Sequence, residues 1–399
     1  MSTIVLAFSG GLDTSVAIGW LKDKLGYETV IAMAADVGQG VDEDLLRSRG
    51  LACGADEVIV VDAREEFARD YAARALKANA LYMGKYPLVS ALSRPLIAKH
   101  LVRVARERGA KAISHGCTGK GNDQVRFEVA TAALAPDLVS VAPVRDAGLT
   151  RDAAIAYAEE RNLPIPVTKK SPYSVDENLW GRTCECGVLE DPWTTPPADA
   201  YVWTTDPREA GAPDIVTIGF EQGTPVSLDG ERLGLVELIS EIGRRAGAQG
   251  VGRIDMIEDR LVGIKSREVY EVPAAMTLIT AHRDLEDLTL ERGLARFKRS
   301  IEEPYADLIY NGLWFSPLRL ALDAFMTESQ VSVTGEVRVR LQAGQVIVEG
   351  RRSPQALYDL DLATYEAADA FDHAAAKGFI ELWGLPLRVW SATQAGGGR

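Results

Sequence analysis

The chain has 399 residues, of which 47% are hydrophobic and 25% are charged, a balance typical of globular proteins. Its net charge of −13 at pH 7 argues against a general role on nucleic acids or membrane surfaces, because such surfaces attract a positive field. The length predicts two domains rather than one core. No apolar run reaches bilayer length, and the N-terminus leads directly into a strand without a charged leader, so we expect a cytoplasmic protein.

Predicted strands and helices alternate over the first 168 residues. Apolar runs predict strands at 4–8, 29–34, 57–62, 112–114 and 139–141. Helical patterns are expected around 16–21, from 42 onward, and at 65–77, 93–108 and 151–161. This order predicts an α/β fold with a doubly wound, mainly parallel sheet, in which ligands lie beyond the carboxyl ends of the strands. The loops after Phe8, Ala34 and Ser114 are therefore expected to meet at one site.

A change in composition at Pro164-Ile165-Pro166 marks the predicted end of the first domain. Beyond it, short apolar stretches such as 215–220 and two β-prone segments at 331–341 and 345–350 predict a second, α+β domain. We predict a first domain at 1–168, a second domain at 169–361, and a C-terminal helix and tail at 362–399. A terminal helix outside both domains favours an oligomer, because such helices often dock on a neighbouring subunit.

The cysteines are too scattered to form the disulfide framework of a chain this long. They are Cys53, Cys117, Cys184 and Cys186. The spacing Cys184-x-Cys186 could indicate metal or redox chemistry. No second close pair completes a zinc site, so a structural role is the favoured interpretation.

The sequence SGGLDTS at 9–15 joins the first predicted strand to the first predicted helix. Paired glycines let an anion approach the main chain, and the first N–H groups of a helix point at that anion. The turn lacks the lysine of the common phosphate loop, and Asp13 would repel a polyphosphate unless Mg²⁺ lay between them. The alternative is an ordinary strand–turn–helix in which the hydroxyls act as caps. The complete pattern after an apolar strand favours nucleotide binding.

A second dense stretch, HGCTGKGNDQVRFE at 115–128, follows the fourth predicted strand. Its glycines again offer backbone N–H groups, and a helix is predicted to begin near Asn122. Asn122 and Arg126 are four residues apart and share a helix face, where an amide and a guanidinium suit an amino-acid carboxylate. Asp123 could hold an ammonium group. A polar cap on a solvated helix is the alternative, but a position opposite the first loop of the same sheet favours a substrate site.

Four stretches together resemble one family. SGGLDTS by itself resembles the signature of the N-type ATP pyrophosphatases, which adenylate a substrate oxygen and release pyrophosphate. With SRPLIAKH at 93–100, the stretch at 115–128 and IEDRLVGIKSREVYE at 257–271, the chain resembles the argininosuccinate synthase family as far as about Leu385. The resemblance implies an adenine nucleotide alpha hydrolase-like first domain, a synthetase domain and a cytoplasmic homotetramer. It also implies that ATP drives the condensation of citrulline with aspartate through a citrullyl-adenylate, giving argininosuccinate, AMP and pyrophosphate.

The resemblance also implies roles for individual residues. ATP would be bound by Ala7, Phe8, Ser9, Gly10, Gly11, Leu12, Asp13, Thr14, Ser15, Ala35 and Gly116. Aspartate would be bound by Thr118, Asn122 and Asp123, and citrulline by Tyr86, Ser90, Asn122, Arg126, Ser174, Thr183, Glu258 and Tyr270. Thr183 stands where some members of the family have a serine. A second serine of those members aligns with Ala91, next to Ser90, so which residue at 90–91 contacts citrulline is undecided. No side chain is assigned as a catalytic group or metal ligand, and the acceptor of the aspartate amine proton is not identified.

Other classes of protein share parts of this pattern. A glutamine-dependent amidotransferase would need an N-terminal catalytic cysteine or a glutaminase domain, and the sequence has neither. A tRNA-thiolating enzyme would need a basic appended domain, which the net charge opposes, and a functional cysteine pair. A non-catalytic interaction protein would not need all four stretches. The sequence therefore predicts small-molecule substrates, without a nucleic-acid or membrane partner.

Overall fold

The computed structural model describes residues 2–146, 148–164, 173–365 and 370–396. The chain forms two compact units, 1–355 and 356–399. Within the described residues of the first unit, the strands form one parallel sheet and two antiparallel sheets. The α/β class predicted from the sequence is confirmed.

A five-stranded parallel sheet, in the order β3-β2-β1-β4-β5, organises the N-terminal part of the first unit. Its strands are β1 (Thr3–Ala7), β2 (Thr29–Asp36), β3 (Glu57–Asp62), β4 (Ala112–Ser114) and β5 (Val139–Val141). The helices between and after them are α1 (Leu12–Asp23), α2 (Glu43–Ala52), α3 (Arg64–Glu66), α4 (Ala73–Lys77), α5 (Val89–Arg108), α6 (Asp123–Leu134), α7 (Pro143–Asp146) and α8 (Arg151–Glu160). A π-helical segment, Phe67–Ala72, joins α3 to α4.

Helices cover both faces of this sheet. Alternate residues of β1 point to opposite faces, as the two-residue period of a strand requires. Ile4 and Leu6 pack against α1 and α8, whereas Val5 packs against α5 and α6. All three side chains are fully buried. The doubly wound, parallel arrangement predicted from the βα repeats is therefore confirmed.

Two antiparallel sheets follow, in the orders β10-β9-β8-β13-β14 and β11-β12-β7-β6. Their strands are β6 (Ser174–Asn178), β7 (Gly181–Glu185), β8 (Asp214–Glu221), β9 (Thr224–Leu228), β10 (Glu231–Arg232), β11 (Arg253–Asp259), β12 (Lys265–Glu271), β13 (Gly335–Gln342) and β14 (Gln345–Arg352). The helices of this region are α9 (Leu235–Ala248), α10 (Pro273–Thr289), α11 (Arg292–Tyr310) and α12 (Pro317–Ser329). The two β-prone segments predicted at 331–341 and 345–350 form an antiparallel pair, β13 and β14, around residues 342–344.

Two elements begin elsewhere than predicted. The helix expected at 93–108 begins at Val89. Residues 89–93 are all buried, so they lack the amphipathic period by which a sequence indicates a helix. The strand expected from Val331 begins only at Gly335. Residues before it form a turn in which Val333 N donates to Gln330 O at 2.9 Å, so the β-prone side chains there lie outside the sheet.

The second unit contains the short helix α13 (Leu360–Ala363) and the helices α14 (His373–Trp383) and α15 (Leu385–Gly396). Large apolar side chains of α14 and α15 are exposed, among them Ile380, Trp383 and Trp390. No helix in the described part of the chain is long and apolar enough to cross a membrane. The predicted domain boundary at 168/169 and the tail at 397–399 lie outside the described residues, and the domain division stays a prediction.

Candidate active site

A cavity of about 810 Å³ opens at the carboxyl ends of the parallel strands. Phe8, Gln39 and Gly116 line it from the loops after β1, β2 and β4. Arg94 of α5 and Asp123 of α6 line it from the helices, and β6 and β7 contribute the wall from one antiparallel sheet. The loops expected to meet at one site therefore do so, as parallel sheets of this kind require.

The turn after β1 needs glycine at one position and leaves helix donors open. Gly10 has a φ of +75°, and a Cβ there would lie 2.5 Å from Leu46 Cδ2. Gly11 is the N-cap of α1 and has no side chain that could cap the helix, so backbone N–H groups at this helix start can face a ligand. The Ser9 and Thr14 hydroxyls lie 3.1 Å apart across the turn.

Most residues predicted to bind the nucleotide line this cavity. They are Ala7, Phe8, Ser9, Gly11, Leu12, Asp13, Thr14, Ala35 and Gly116. Gly10 and Ser15 lie behind this wall and are buried. The Gly10 carbonyl accepts a hydrogen bond from Arg49 Nη1 at 2.7 Å, which ties the turn to α2.

The loop after β4 is held by a neutral histidine. His115 Nδ1 accepts from Cys117 N at 3.3 Å, and Nε2 lies 3.1 Å from Glu128 Oε1. Burial lowers the pKa of His115, although Glu128 opposes the shift, so the ring serves as a structural bridge near neutral pH. A Cβ at Gly116 would lie 3.1 Å from Thr14 Cγ2, which shows how closely this loop approaches the first one.

The guanidinium of Arg94 joins two carboxylates at the wall of the cavity. Its Nε donates to Asp123 Oδ2 at 2.8 Å, and its Nη2 donates to Asp176 Oδ2. Asp123 Oδ1 accepts a further bond, also at 2.8 Å, from Arg126 Nη1. Asp176 Oδ2 accepts a bond from the Ser90 hydroxyl at 3.2 Å. One cation thus ties helices α5 and α6 to strand β6.

These contacts shift the pKa values of the two carboxyl groups in opposite directions. Burial raises the pKa of Asp123, but Arg94 and Arg126 outweigh burial and lower it to about 2. Burial raises the pKa of Asp176 above its ordinary value; Arg94 offsets this only in part, and the charge of Asp123 adds to it. Asp123 is therefore a fixed anion, whereas Asp176 binds a proton more readily.

Aromatic rings and one carboxylate form a buried cluster next to Asp123. Tyr86 stacks on Tyr270 with 4.2 Å between ring centroids, and Tyr82 stacks on Tyr310 at 3.5 Å. Glu258 accepts hydrogen bonds from the hydroxyls of Tyr270 and, at 2.8 Å, of Tyr310. Burial raises the pKa of Glu258, and both phenols act in the opposite direction. We call these five residues the tyrosine–glutamate cluster.

Asn122 and Arg126 are both anchored on Tyr310. Asn122 Nδ2 donates to the Tyr310 hydroxyl at 2.8 Å, and its Oδ1 accepts from Leu261 N at 2.9 Å. Arg126 Nε donates to the Tyr310 carbonyl at 3.1 Å, and its guanidinium lies 4.9 Å from the ring centroid. The helix face predicted for this pair therefore packs on the end of α11. The ion pair of Arg126 with Asp123 also connects this face of α6 to the face of the same helix that carries Asp123.

The remaining predicted residues lie in three different environments. Ser174, at the start of β6, is exposed and lines the cavity, and Thr118 is exposed in the loop after β4. Thr183 lies within β7 and is paired with both β6 and β12. At the open position 90–91, the Ser90 hydroxyl faces Asp176, whereas Ala91 is fully buried in the core.

The sequence analysis missed the residues that connect the site. Arg94 stands inside the recognised stretch at 93–100, where a charge on an otherwise buried helix face was an available signal. Asp176 comes two residues after Ser174 on the same strand and face. Tyr310 had no local signal, because its partner Asn122 lies 188 positions away in the sequence.

The described residues contain no group of three or more His, Cys, Asp or Glu side chains arranged to hold a metal ion. All four cysteines are free thiols, and Cys184 is buried in a small apolar cluster with Leu189 and Val269. The site is therefore built from arginines, carboxylates, tyrosines and backbone donors.

A parallel sheet with a glycine turn before α1, and a cavity to which an antiparallel sheet contributes one wall, is the arrangement of a nucleotide-using α/β enzyme. A family model described as "Arginosuccinate synthase N-terminal HUP domain" matches residues 3–164, and one described as "Arginosuccinate synthase C-terminal domain" matches residues 173–390. The chain belongs to the argininosuccinate synthase family. It is a carbon–nitrogen ligase that joins citrulline and aspartate in arginine biosynthesis, and the resemblance found in the sequence is confirmed.

Replacing Tyr310 by Phe should destabilise the protein, because Asn122 Nδ2 loses its acceptor and Glu258 loses a donor at a buried position. We expect the free energy of unfolding to fall by about 1–3 kcal/mol. Tyr82→Phe is the matched control, since it removes an exposed bond to the Asp259 carbonyl from the other ring of the same stack. Urea unfolding measures the stability of both variants. An equal loss of unfolding free energy in the two would contradict a buried bridge at Tyr310.

Proposed function

We propose that this chain carries out its ligation in two steps at the described cavity. The ureido oxygen of citrulline first attacks the α-phosphorus of ATP, forming a citrullyl-adenylate and releasing pyrophosphate. The aspartate amine then displaces AMP. The supporting observation is that the turn at 9–15, the loop at 115–117 and the Arg94 bridge surround one cavity, with the tyrosine–glutamate cluster beside it.

ATP is assigned to the wall formed by the first two loops. The backbone N–H groups at the start of α1, with the Ser9 and Thr14 hydroxyls, are suited to the phosphates. Ala7, Phe8, Leu12, Ala35 and Gly116 complete that wall. Gly10 and Ser15 contribute through the shape and packing of the turn, because neither lies on the cavity surface.

Mg²⁺ is assigned to the same wall, together with the phosphates. The described residues offer no all-protein metal cage, and Mg²⁺ characteristically uses one or two carboxylates and lets substrate phosphates supply other ligands. Asp13 lines the cavity within the phosphate turn and is the carboxylate suited to that role. When bound, the ion would neutralise charge on the departing pyrophosphate.

Citrulline is assigned to the tyrosine–glutamate cluster and its neighbours. The buried guanidinium of Arg126 is suited to the α-carboxylate, and within the described residues its Nη2 makes no hydrogen bond. Glu258 offers an acceptor for the ammonium or ureido N–H groups. Asn122 would contact both amino acids. The other contacts assigned to citrulline are Tyr86, Ser90, Ser174, Thr183 and Tyr270.

Aspartate is assigned to Thr118, Asn122 and Asp123. Asp123 is suited to the ammonium because Arg94 and Arg126 keep it ionised. No enzyme nucleophile is needed, since the adenylate itself is the activated intermediate. Catalysis would rest on positioning the reactants and on stabilising the charge of the transferring phosphoryl group.

The path of one oxygen atom tests the proposed order of events. Citrulline labelled with ¹⁸O on its ureido group should give labelled AMP, because that oxygen attacks phosphorus and stays on it. Mass spectrometry of AMP and pyrophosphate after one turnover measures the label. Label in pyrophosphate, or unlabelled AMP, would rule out a citrullyl-adenylate.

Gly11→Val should weaken ATP binding while the protein stays folded. Gly11 has a φ of −75°, and its Cβ would lie 3.5 Å from Ser9 Oγ, so the fold accepts a side chain that projects toward the phosphate position. We expect an affinity loss of at least ~100-fold, or about 2.7 kcal/mol. Gly211→Val is the control, because no atom lies within 4 Å of its Cβ position. Calorimetry with and without Mg²⁺, beside a thermal melt, measures both effects, and unchanged affinity would contradict the phosphate assignment.

A cytoplasmic homotetramer is the assembly we propose. The support is the row of exposed apolar side chains on α14 and α15, such as Phe379, Trp383 and Leu387, which are 60%, 73% and 70% exposed. Such a surface is typical of protein interfaces. Light scattering of the full chain should give the mass of four copies, and a monomeric mass would contradict the proposal.

A further inference from the structure

The second step of the reaction needs a proton acceptor that the ligand assignments do not provide. At neutral pH the aspartate amine is an ammonium group, whose nitrogen has no lone pair for attack. It must lose a proton at the moment when the adenylate is in place. A group that takes this proton has to lie on the wall of the cavity and between the two substrates.

Most carboxylates that line the cavity already have other roles. Asp123 has both oxygens bonded to arginines. Glu177 accepts from Arg182 Nε at 3.0 Å, and Glu185 is paired with Arg260. Asp42 accepts from Leu45 N as the cap of α2, and Asp13 belongs to the phosphate turn.

Asp176 differs from these groups in geometry. Its Oδ2 is fixed by Arg94 and by the Ser90 hydroxyl, and no described residue donates a hydrogen bond to its Oδ1. The side chain is 40% exposed and lines the cavity. Ser90 is assigned to citrulline, and Arg94 connects Asp176 directly to Asp123, which is assigned to the aspartate ammonium. Asp176 therefore contacts Ser90, which is assigned to citrulline, and is connected through Arg94 to Asp123, which is assigned to aspartate.

We propose that Asp176 is the base that removes the proton from the aspartate ammonium. The inference rests on the proposed function, since it needs citrulline at Ser90 and aspartate at Asp123. Oδ1 would accept the proton while Arg94 and Ser90 hold Oδ2 in place. Asp123 would bind the ammonium but leave its proton, because a doubly paired carboxylate is a weak base.

The ligation step moves two protons from the attacking nitrogen and exchanges one bond at the carbon of the adenylate. The ammonium gives one proton to Asp176, and the nitrogen lone pair then forms a bond to the ureido-derived carbon of the adenylate. The bond from that carbon to the phosphate oxygen breaks, and its electron pair leaves with AMP. The second proton of the attacking nitrogen moves to the neighbouring imino nitrogen and remains in the guanidinium of the product. Asp176 returns its proton to solvent through the open cavity.

The surroundings of Asp176 support this role. The charged and titratable groups that face it are Arg94 of α5, Asp123 of α6 and Cys117 of the loop after β4. Burial and the Asp123 charge raise its pKa while Arg94 opposes them, so the group is a stronger base than an ordinary aspartate.

Two signals from the full-length protein test the proposal separately. Pyrophosphate release with ATP and citrulline alone reports adenylation, and argininosuccinate formation after addition of aspartate reports ligation. Asp176→Asn should keep adenylation within about threefold, whereas ligation should slow by roughly 10²- to 10⁴-fold, the usual contribution of a general base. The residual ligation should rise about tenfold per pH unit below the amine pKa, because the solution must then deprotonate aspartate.

Asp176→Ala should regain part of its ligation rate when formate is added, because this small carboxylate fits the space that the side chain leaves. Glu177→Gln, one residue along the same strand, is the matched control and should ligate within a few-fold of the unmodified protein. Asp176→Glu should ligate faster than Asp176→Asn, since it restores a carboxylate. A purely positioning role would show neither the pH dependence nor the rescue by formate.

The outcomes distinguish this proposal from the function on which it rests. If the unmodified protein releases no pyrophosphate with citrulline, the citrullyl-adenylate is wrong. If it does and Asp176→Asn ligates at the unmodified rate, or slowly without pH dependence or rescue, Asp176 is not the base. If the Asp176 variants lose adenylation as well, the pH dependence of ligation by the unmodified protein decides. The ligation rate should fall in acid as a single group is protonated. A ligation rate that stays constant with pH until the protein unfolds overturns the proposal.

Discussion

The candidate site depends on one buried cation. Arg94 is 15% exposed at its side chain and donates to carboxylates on α6 and on β6. A charge largely removed from water is tolerated only when partners compensate for its lost hydration, so Arg94 depends on its carboxylate partners. The parallel-sheet part of the first unit and the antiparallel sheet that carries β6 are therefore held together at the point where the substrates are assigned.

This arrangement explains which parts of the site the sequence could predict. The turn at 9–15 and the start of α6 are local, because each functional group lies within a few residues of the glycine or helix start that positions it. Their elements, bounds and shared cavity followed from hydrophobic periodicity and from the rule on strand ends. The family resemblance added Glu258 and Tyr270, for which the residues alone indicated only a surface carboxylate and a packed aromatic ring.

The contacts that could not be predicted are the long-range ones. Tyr310 meets Asn122 across 188 positions, and Arg94 meets Asp176 across 82. Nothing in the residues near Tyr310 distinguishes it from a core tyrosine at the end of an amphipathic helix. The first turn of α5 was missed for a related reason: its residues are buried on every side, so the apolar period that identifies a surface helix is absent.

Asp123 and Asp176 show how one arginine can give two like side chains different chemistry. Both accept a hydrogen bond from Arg94 at Oδ2, but Asp123 also accepts from Arg126, and the two cations together hold its pKa at about 2 against the effect of burial. Asp176 lacks a second cation and faces the negative charge of Asp123, so burial raises its pKa. Separating the pKa values of neighbouring carboxyl groups is a general way to assign an anion that binds and a base that reacts. A substrate ammonium at Asp123 would sharpen this division further, because its positive charge would stabilise the anion at Asp123 while its proton lies within reach of the more basic Asp176.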